Sequence, residues 1–245
     1  MAFREELEQS GAWLFRYRSF GPPLLLIPLI LAAEPVAGGR SAGLPRPWVA
    51  AGLGVAALGL MVRALVVGHA PRGTSGKNRS RHKAEALTTT GLYSVCRHPL
   101  YLGNVLLWLG PALAVGRWWP VVTVALACWL YHERIIYAEE EFLRQAFGPR
   151  YLDWADRTPA MLPRPGLWVR PALPFSARTV LRLEYYALVS TAALFTALEA
   201  GTVFRQTGRP GLDRSWLTGF AIILVAGAGL RFLQRHTKVL DVEGR

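Results

Sequence analysis

His98, Tyr101, Asn104 and Trp108 follow one another at steps of three, three and four residues. On a helix this spacing lines up an imidazole, a phenol, a carboxamide and an indole in one stripe. Pro99 suits the first turn of such a helix, where its missing N–H leaves no bond unmade. His98 then stands at the N-cap beside Arg97, where free N–H groups and the positive helix end favour an anion. A second cluster lies further along: His132, Glu133 and Arg134, then Glu139, Glu140 and Glu141. Helical steps put Glu133, Tyr137, Glu140 and Arg144 on one face and turn Glu139 elsewhere, with Ile135 and Leu143. Arg63 is the lone charge in the run 48–69. Each group has a bland reading: a capping histidine, interfacial aromatics, solvated acids, a snorkelling arginine. Cationic, aromatic and acidic groups converging on one edge carry the functional reading.

The elements that position them are membrane helices. Of the 245 residues, 52% are apolar and 18% charged, and the mean hydropathy is +0.24. Soluble domains carry about 25% charged residues. The shortfall is concentrated in long uncharged blocks, which excludes a disordered chain, a collagen-like chain and a disulfide scaffold. Cys96 and Cys128 form no CxxC, so no metal site is expected. The net charge of +12 would suggest nucleic acid in a soluble protein. Here the basic residues flank apolar blocks and face lipid head groups, so no nucleic-acid partner is expected.

Six blocks are long enough to span: 19–36, 48–69, 99–116, 118–137, 179–198 and 215–233. The fold class expected is all-α, a polytopic helical bundle of about six spans. Lipid offers the backbone no hydrogen-bond partner, and the runs lack the alternation of a β-barrel. Of the 28 Lys and Arg, 21 fall in the N-terminal tail, the connections after the second and fourth blocks, and the C-terminus. Six fall on the other side, so both termini are expected in the cytoplasm. Block 19–36 could instead be a cleaved leader, but Pro22, Pro23 and Pro28 and the lack of an A-x-A site favour a retained span. The tight turn at 116–120 makes 99–116 and 118–137 an antiparallel hairpin, which brings both clusters and Arg63 to one cytoplasmic end. Prolines 159, 163, 165, 171 and 174 mark a non-helical linker. Three parts follow: 1–47 with the first span, a core at 48–165, and 166–245 with the linker and two last spans.

At these residues the chain resembles a known family. Gly91-x-Tyr93-x-x-x-Arg97-His98-Pro99-x-Tyr101-x-Gly103 is followed by Glu139-Glu140-x-x-Leu143-x-x-x-Phe147-Gly148-x-x-Tyr151-x-x-Trp154 and Thr158-Pro159. This pattern resembles the isoprenylcysteine carboxyl methyltransferases, part of a wider group of integral-membrane methyltransferases that includes phospholipid methyltransferases. The resemblance covers about half the chain. It implies S-adenosylmethionine as methyl donor, bound at the cytosolic end of the core. His98, Tyr101, Glu139 and Glu140 are the cofactor-binding residues it implies, and residue chemistry adds Tyr93 and Arg97 to them. Arg63 falls where the family has a functional arginine, and Arg134 is a second catalytic candidate. Arg63 and Asn104 are expected to meet the acceptor.

The residue chemistry agrees. Glu139 or Glu140 can accept from a ribose diol or an ammonium. His98, Arg97 and the helix end can hold a carboxylate. Tyr93 or Tyr101 can stack on adenine, and an aromatic wall suits a sulfonium cation. The expected acceptor is a hydrophobic, anionic membrane lipid or lipid-modified group: an isoprenylcysteine-like carboxylate or a lipid phosphate. The composition suggests a bacterial inner-membrane protein with its site at the cytoplasmic face. Two alternatives stand beside this reading. The RHPxYxG block also resembles membrane sterol reductases, which implies an NADPH-dependent reductase. A non-catalytic lipid-binding protein is the other.

Overall fold

The computed structural model describes residues 3–17, 25–33, 42–71 and 86–244. All regular elements among them are helical: α1 Phe3–Arg16, α2 Leu26–Ala32, α3 Arg46–His69, α4 Leu92–Val95, α5 Pro99–Ala114, α6 Trp118–Phe147, α7 Pro149–Ala155, α8 Ala177–Thr207 and α9 Arg214–His236. One 3₁₀ turn, Pro165–Leu167, precedes α8.

Prolines and glycines set the boundaries. Pro47 lies in the first turn of α3, and Pro99 is the first residue of α5. The helix α3 stops at His69, just before Ala70-Pro71, because a residue ahead of proline is pushed out of the helical region. Gly148, at φ 54°, ends α6 and lets Pro149 start α7. Ser176 caps α8 by accepting from the Thr179 N–H at 3.2 Å, and Gly208 closes that helix in the left-handed region.

Among the described residues, four helices are long and apolar enough to cross a bilayer: α3, α6, α8 and α9. The third expected span, 99–116, is the shorter apolar helix α5 of 16 residues. Of block 19–36 only α2, seven residues long, is described as helix, and residues 18–24 and 34–41 lie outside the described residues. The helix α6 has 30 residues, roughly 45 Å at 1.5 Å per residue, so it outruns the bilayer core and carries its acidic end past it. The N-terminal helix α1 was not expected from the sequence. It lies along α6, where Gly11 meets the Arg134 carbonyl and Ala138.

The chief packing is α3 on α5. A Cβ built at Gly59 would lie 2.8 Å from the Gly103 carbonyl, and one at Gly110 would lie 2.6 Å from the Gly52 carbonyl. Small residues thus let two backbones touch, which replaces hydrophobic drive inside lipid. The helices α5 and α6 form the expected hairpin through Gly116, at φ 75°. The helix α8 packs on α3 and pairs with α9. Leu29, Ala56, Ala112, Val124, Cys128, Phe195 and Leu198 form the core between them. On α9, Leu217, Ile222, Val225 and Phe232 stay exposed, as suits a lipid-facing helix.

The proline-rich stretch is non-helical, as expected, but it is more than a tether. It folds back on the segment leading into α5. The Arg97 and His98 N–H groups donate to the Pro159 and Ala160 carbonyls at 2.9 and 3.0 Å. Arg164 N–H reaches the Val95 carbonyl, Gly91 N–H reaches the Val169 carbonyl, and Val169 N–H reaches Ser94 Oγ, all at 2.9 Å.

Candidate functional site

The hairpin carries the first half of the site. On α6, Cys128, His132, Ile135 and Glu139 succeed one another at steps of four, three and four and share one inward stripe. Glu139 is therefore turned inward, and so is Glu140 beside it, whereas Glu133 is exposed. The expected grouping of Glu133, Tyr137, Glu140 and Arg144 does not act together: Arg144 pairs with Glu141 at 2.6 Å. The acidic side chains that face α5 are chosen by which groups lie opposite, and periodicity on one helix does not supply that.

Opposite them stand the residues of α5 and its N-cap. The Tyr101 hydroxyl donates to Glu139 Oε2 at 2.6 Å. His98 Nε2–H donates to Glu140 Oε1 at 2.8 Å, and Arg97 Nε–H donates to the same oxygen at 2.8 Å. The His98 and Tyr101 rings stack at 5.6 Å, and Tyr101 meets His132 at 5.4 Å. His98 is buried, while the Glu139 and Glu140 side chains keep 31% and 26% of their surface accessible. Within this cluster the carboxylates are the groups a ligand can reach.

Arg97 is also tied to the segment that follows α6. Its Nη1 donates to the Ala155 and Thr158 carbonyls, each at 2.7 Å. With the backbone N–H groups of 97 and 98 taken by carbonyls 159 and 160, the anion seat expected at this helix end is filled by the protein's own chain. Arg97 acts as a clamp that fixes Glu140 to α7 and the turn after it. Beside it the Tyr151 ring is buried, and the Tyr151 hydroxyl and Trp154 Nε1–H are buried with no hydrogen-bond partner among the described residues. Burial first, and then the Glu140 charge, push the Tyr151 phenol above its ordinary range.

The second half of the site is built on Arg63. Its Nε and Nη2 donate to the two oxygens of Glu184 on α8, at 2.7 and 3.1 Å, and its Nη1 donates to Asn104 Oδ1 on α5. Tyr93, just before α5, lies between the two halves. Burial above all, and then the Glu139 charge, raise its phenol pKa, and Arg63 opposes them. Tyr93 thus stays a hydroxyl donor at any physiological pH. It lines a small recess with Leu65, Val66, His69 and Pro171.

The structure brings together Tyr93, Arg97, His98, Tyr101, Glu139 and Glu140 at one end of the bundle, with Arg63 and Asn104 next to them. It does not bring in Arg134. That side chain bonds back to the Leu130 carbonyl at 3.0 Å, on the face of α6 that meets α1. One participant was named from the sequence without a role, and one was missed. His132 stands among the aromatic rings, its Nδ1–H on the Cys128 carbonyl at 2.8 Å. Glu184 holds Arg63, and the signal for it was available: an acid inside an apolar block is costly unless paired.

Residues 48–150 match the phospholipid methyltransferase family. The cobalt-zinc-cadmium resistance protein CzcN of Cupriavidus metallidurans is 40% identical over 89 residues, 36% of this chain and 41% of that protein. The protein-S-isoprenylcysteine O-methyltransferase B of Arabidopsis thaliana is 33% identical over 84 residues, 34% of this chain and 42% of that one. A probable protein-S-isoprenylcysteine O-methyltransferase of Oryza sativa is 31% identical over 113 residues, 46% and 59% respectively. The chain thus spans about half the length of the relatives it matches. No solved structure matches it. The matched stretch holds Arg63, Asn104, the RHPxYxG block and both rim glutamates, and over it the chain is similar to the integral-membrane methyltransferases of the phospholipid and isoprenylcysteine group.

Proposed function

We propose that the protein is an S-adenosylmethionine-dependent methyltransferase acting on a hydrophobic, anionic acceptor at the cytoplasmic face of a bacterial inner membrane. The observation that carries this is the pair Glu139 and Glu140, held side by side at the helix mouth by Tyr101, His98 and Arg97.

The residues present fit the cofactor. Both bonds to Glu140 fall on Oε1, which leaves acceptor capacity on its second oxygen for a diol or an ammonium. The Tyr151 hydroxyl and Trp154 Nε1–H, buried beside this carboxylate's clamp, are donors that a polar ligand would satisfy. Tyr93 and Tyr101 supply aromatic faces. Bound there, S-adenosylmethionine would supply an electrophilic methyl carried on a sulfonium. Held by Glu139 and Glu140, it would give that methyl to an acceptor oxygen and keep the carbon–sulfur electron pair on its own sulfur. An ionised carboxylate or phosphate has no proton to lose, so no general base is required. The chain's part is to orient the two partners and exclude water, which accounts for much of the rate in such reactions.

The experiment is to incubate the purified protein with methyl-labelled S-adenosylmethionine and total membrane lipid, then find by mass which species gains a methyl group. Label in an apolar species supports the proposal. No incorporation from S-adenosylmethionine, or tight binding of NADPH in its place, overturns it.

A further inference from the structure

The arginine of the matched segment is held by a residue from outside it. Glu184 belongs to α8, beyond residue 150, where the family match ends. The chain takes care to bring it there. Phe175 packs on Gly68 near the end of α3, and His69 meets the Phe175 ring at 5.4 Å. Ser176 N–H donates to the Gly68 carbonyl at 2.9 Å, and Ser176 then caps α8. This joint fixes the start of α8 against the end of α3. Two turns later Glu184 lies level with Arg63.

The contact is two-pronged, with both carboxylate oxygens engaged, and the side chains are 20% and 10% exposed. A fork of this kind fixes the guanidinium plane as well as its position. Asn104 fixes the remaining edge from α5. An unpaired arginine at this depth would turn toward the head groups. With Glu184 present it is held beside Asn104 and close enough to Tyr93 to act on the phenol's charge.

We propose that Glu184 is a positioning residue for acceptor recognition: it holds Arg63 in place and makes the C-terminal helix pair part of the acceptor half of the site. This rests on the methyltransferase reading above. The hydrogen bonds of Glu184 run to Arg63, apart from the His98–Glu140 and Tyr101–Glu139 contacts, so its loss falls on the acceptor and spares the cofactor.

The test compares the full-length wild type with Glu184→Gln and Glu184→Asp in detergent micelles. Two readouts are taken: equilibrium binding of labelled S-adenosylmethionine, and methyl transfer to two probes, a farnesylated N-acetylcysteine carboxylate and phosphatidic acid. The probes separate a carboxylate acceptor from a phosphate one. The expected result for Glu184→Gln is cofactor affinity within about twofold of wild type and kcat/KM on the active probe down about tenfold or more. Glu184→Asp, which keeps the charge, recovers part of the loss. Unchanged kcat/KM in Glu184→Gln overturns the proposal. So does a loss of cofactor binding and transfer in step, with a lower unfolding temperature, because that marks a purely structural pair. A wild type that fails to bind S-adenosylmethionine contradicts the methyltransferase reading itself. A wild type that binds it but methylates neither probe contradicts the acceptor assignment and this proposal with it.

Discussion

Gly103 on α5 rests against the stem of Arg63 on α3: a Cβ built on this glycine would lie 2.6 Å from Arg63 Cγ and 3.1 Å from the Gly59 carbonyl. The close helix contact and the placement of the arginine are therefore one feature. Gly103→Val forces the helices apart and should lower stability by about 1–3 kcal/mol, the usual cost of overpacking. Gly54 on the same helix as Arg63 has open space around its Cβ position. Gly54→Ala should be neutral or raise stability by up to about 1 kcal/mol from helix propensity. Thermal unfolding in detergent checks both. Equal effects from the two variants would mean that the glycine contact does not set the helix spacing.

Tyr101 makes two separable contributions, a ring stacked on His98 and a hydroxyl on Glu139. Tyr101→Phe keeps the first and removes the second. A hydrogen bond to a charged group contributes about 1.5–3 kcal/mol. The variant should therefore bind S-adenosylmethionine more than tenfold weaker, on the order of that energy, with little change in unfolding temperature. Titration with labelled cofactor measures it, and unchanged affinity would remove Tyr101–Glu139 from the cofactor site.

Arg97 joins α5, Glu140 and the turn after α7 through Glu140 and two carbonyls. Arg97→Lys keeps the charge but cannot serve three directions at once. Stability and cofactor affinity should fall together, stability by about 1–3 kcal/mol for a lost charge-assisted bond. Comparison of unfolding temperature with binding decides this. Loss of binding at full stability would make Arg97 a direct ligand contact instead of a clamp.

Burial pushes the Cys96 thiol from 9.0 up to about 11. The folded chain keeps this thiol neutral where the unfolded chain has begun to ionise it. Above pH 9.0 the unfolded state binds fewer protons than the folded one, so stability contributed by the neutral thiol declines between pH 9.0 and about 11. Cys96→Ala should flatten that part of the stability–pH curve. The buried thiol should also resist maleimide at pH 8 until the protein is unfolded. Rapid labelling of the folded protein would contradict its burial.

The membrane helices were legible because length and uncharged composition are one-dimensional properties. Pro99, Gly103 and the turn at Gly116 announced the hairpin for local steric reasons, and the hairpin alone brought His98 and Tyr101 to Glu139 and Glu140. What one helix could not show was the partner facing each side chain. The resemblance named Glu139 for the site, but helical steps alone turned it away from Glu140, because its face was counted without α5 opposite. Arg134 looked like Arg63 in type and depth, but α1 covers its face of the helix. Glu184 escaped notice because the pairing of α8 with α3 depends on the Phe175–Gly68 joint, 121 residues along the chain from Arg63 to its carboxylate. The proline-rich stretch read as a spacer, since proline composition does not reveal that carbonyls 159 and 160 complete the N-cap of α5.

The central claim is that two carboxylates from α6, held by α5, form the seat of one cationic methyl donor. It is tested most directly by equilibrium binding of labelled S-adenosylmethionine to the wild type, Glu140→Gln and Glu133→Gln in detergent micelles. Binding to the wild type and to Glu133→Gln, with affinity in Glu140→Gln lower by about tenfold or more, is the predicted result. Equal affinity in all three proteins would contradict the claim.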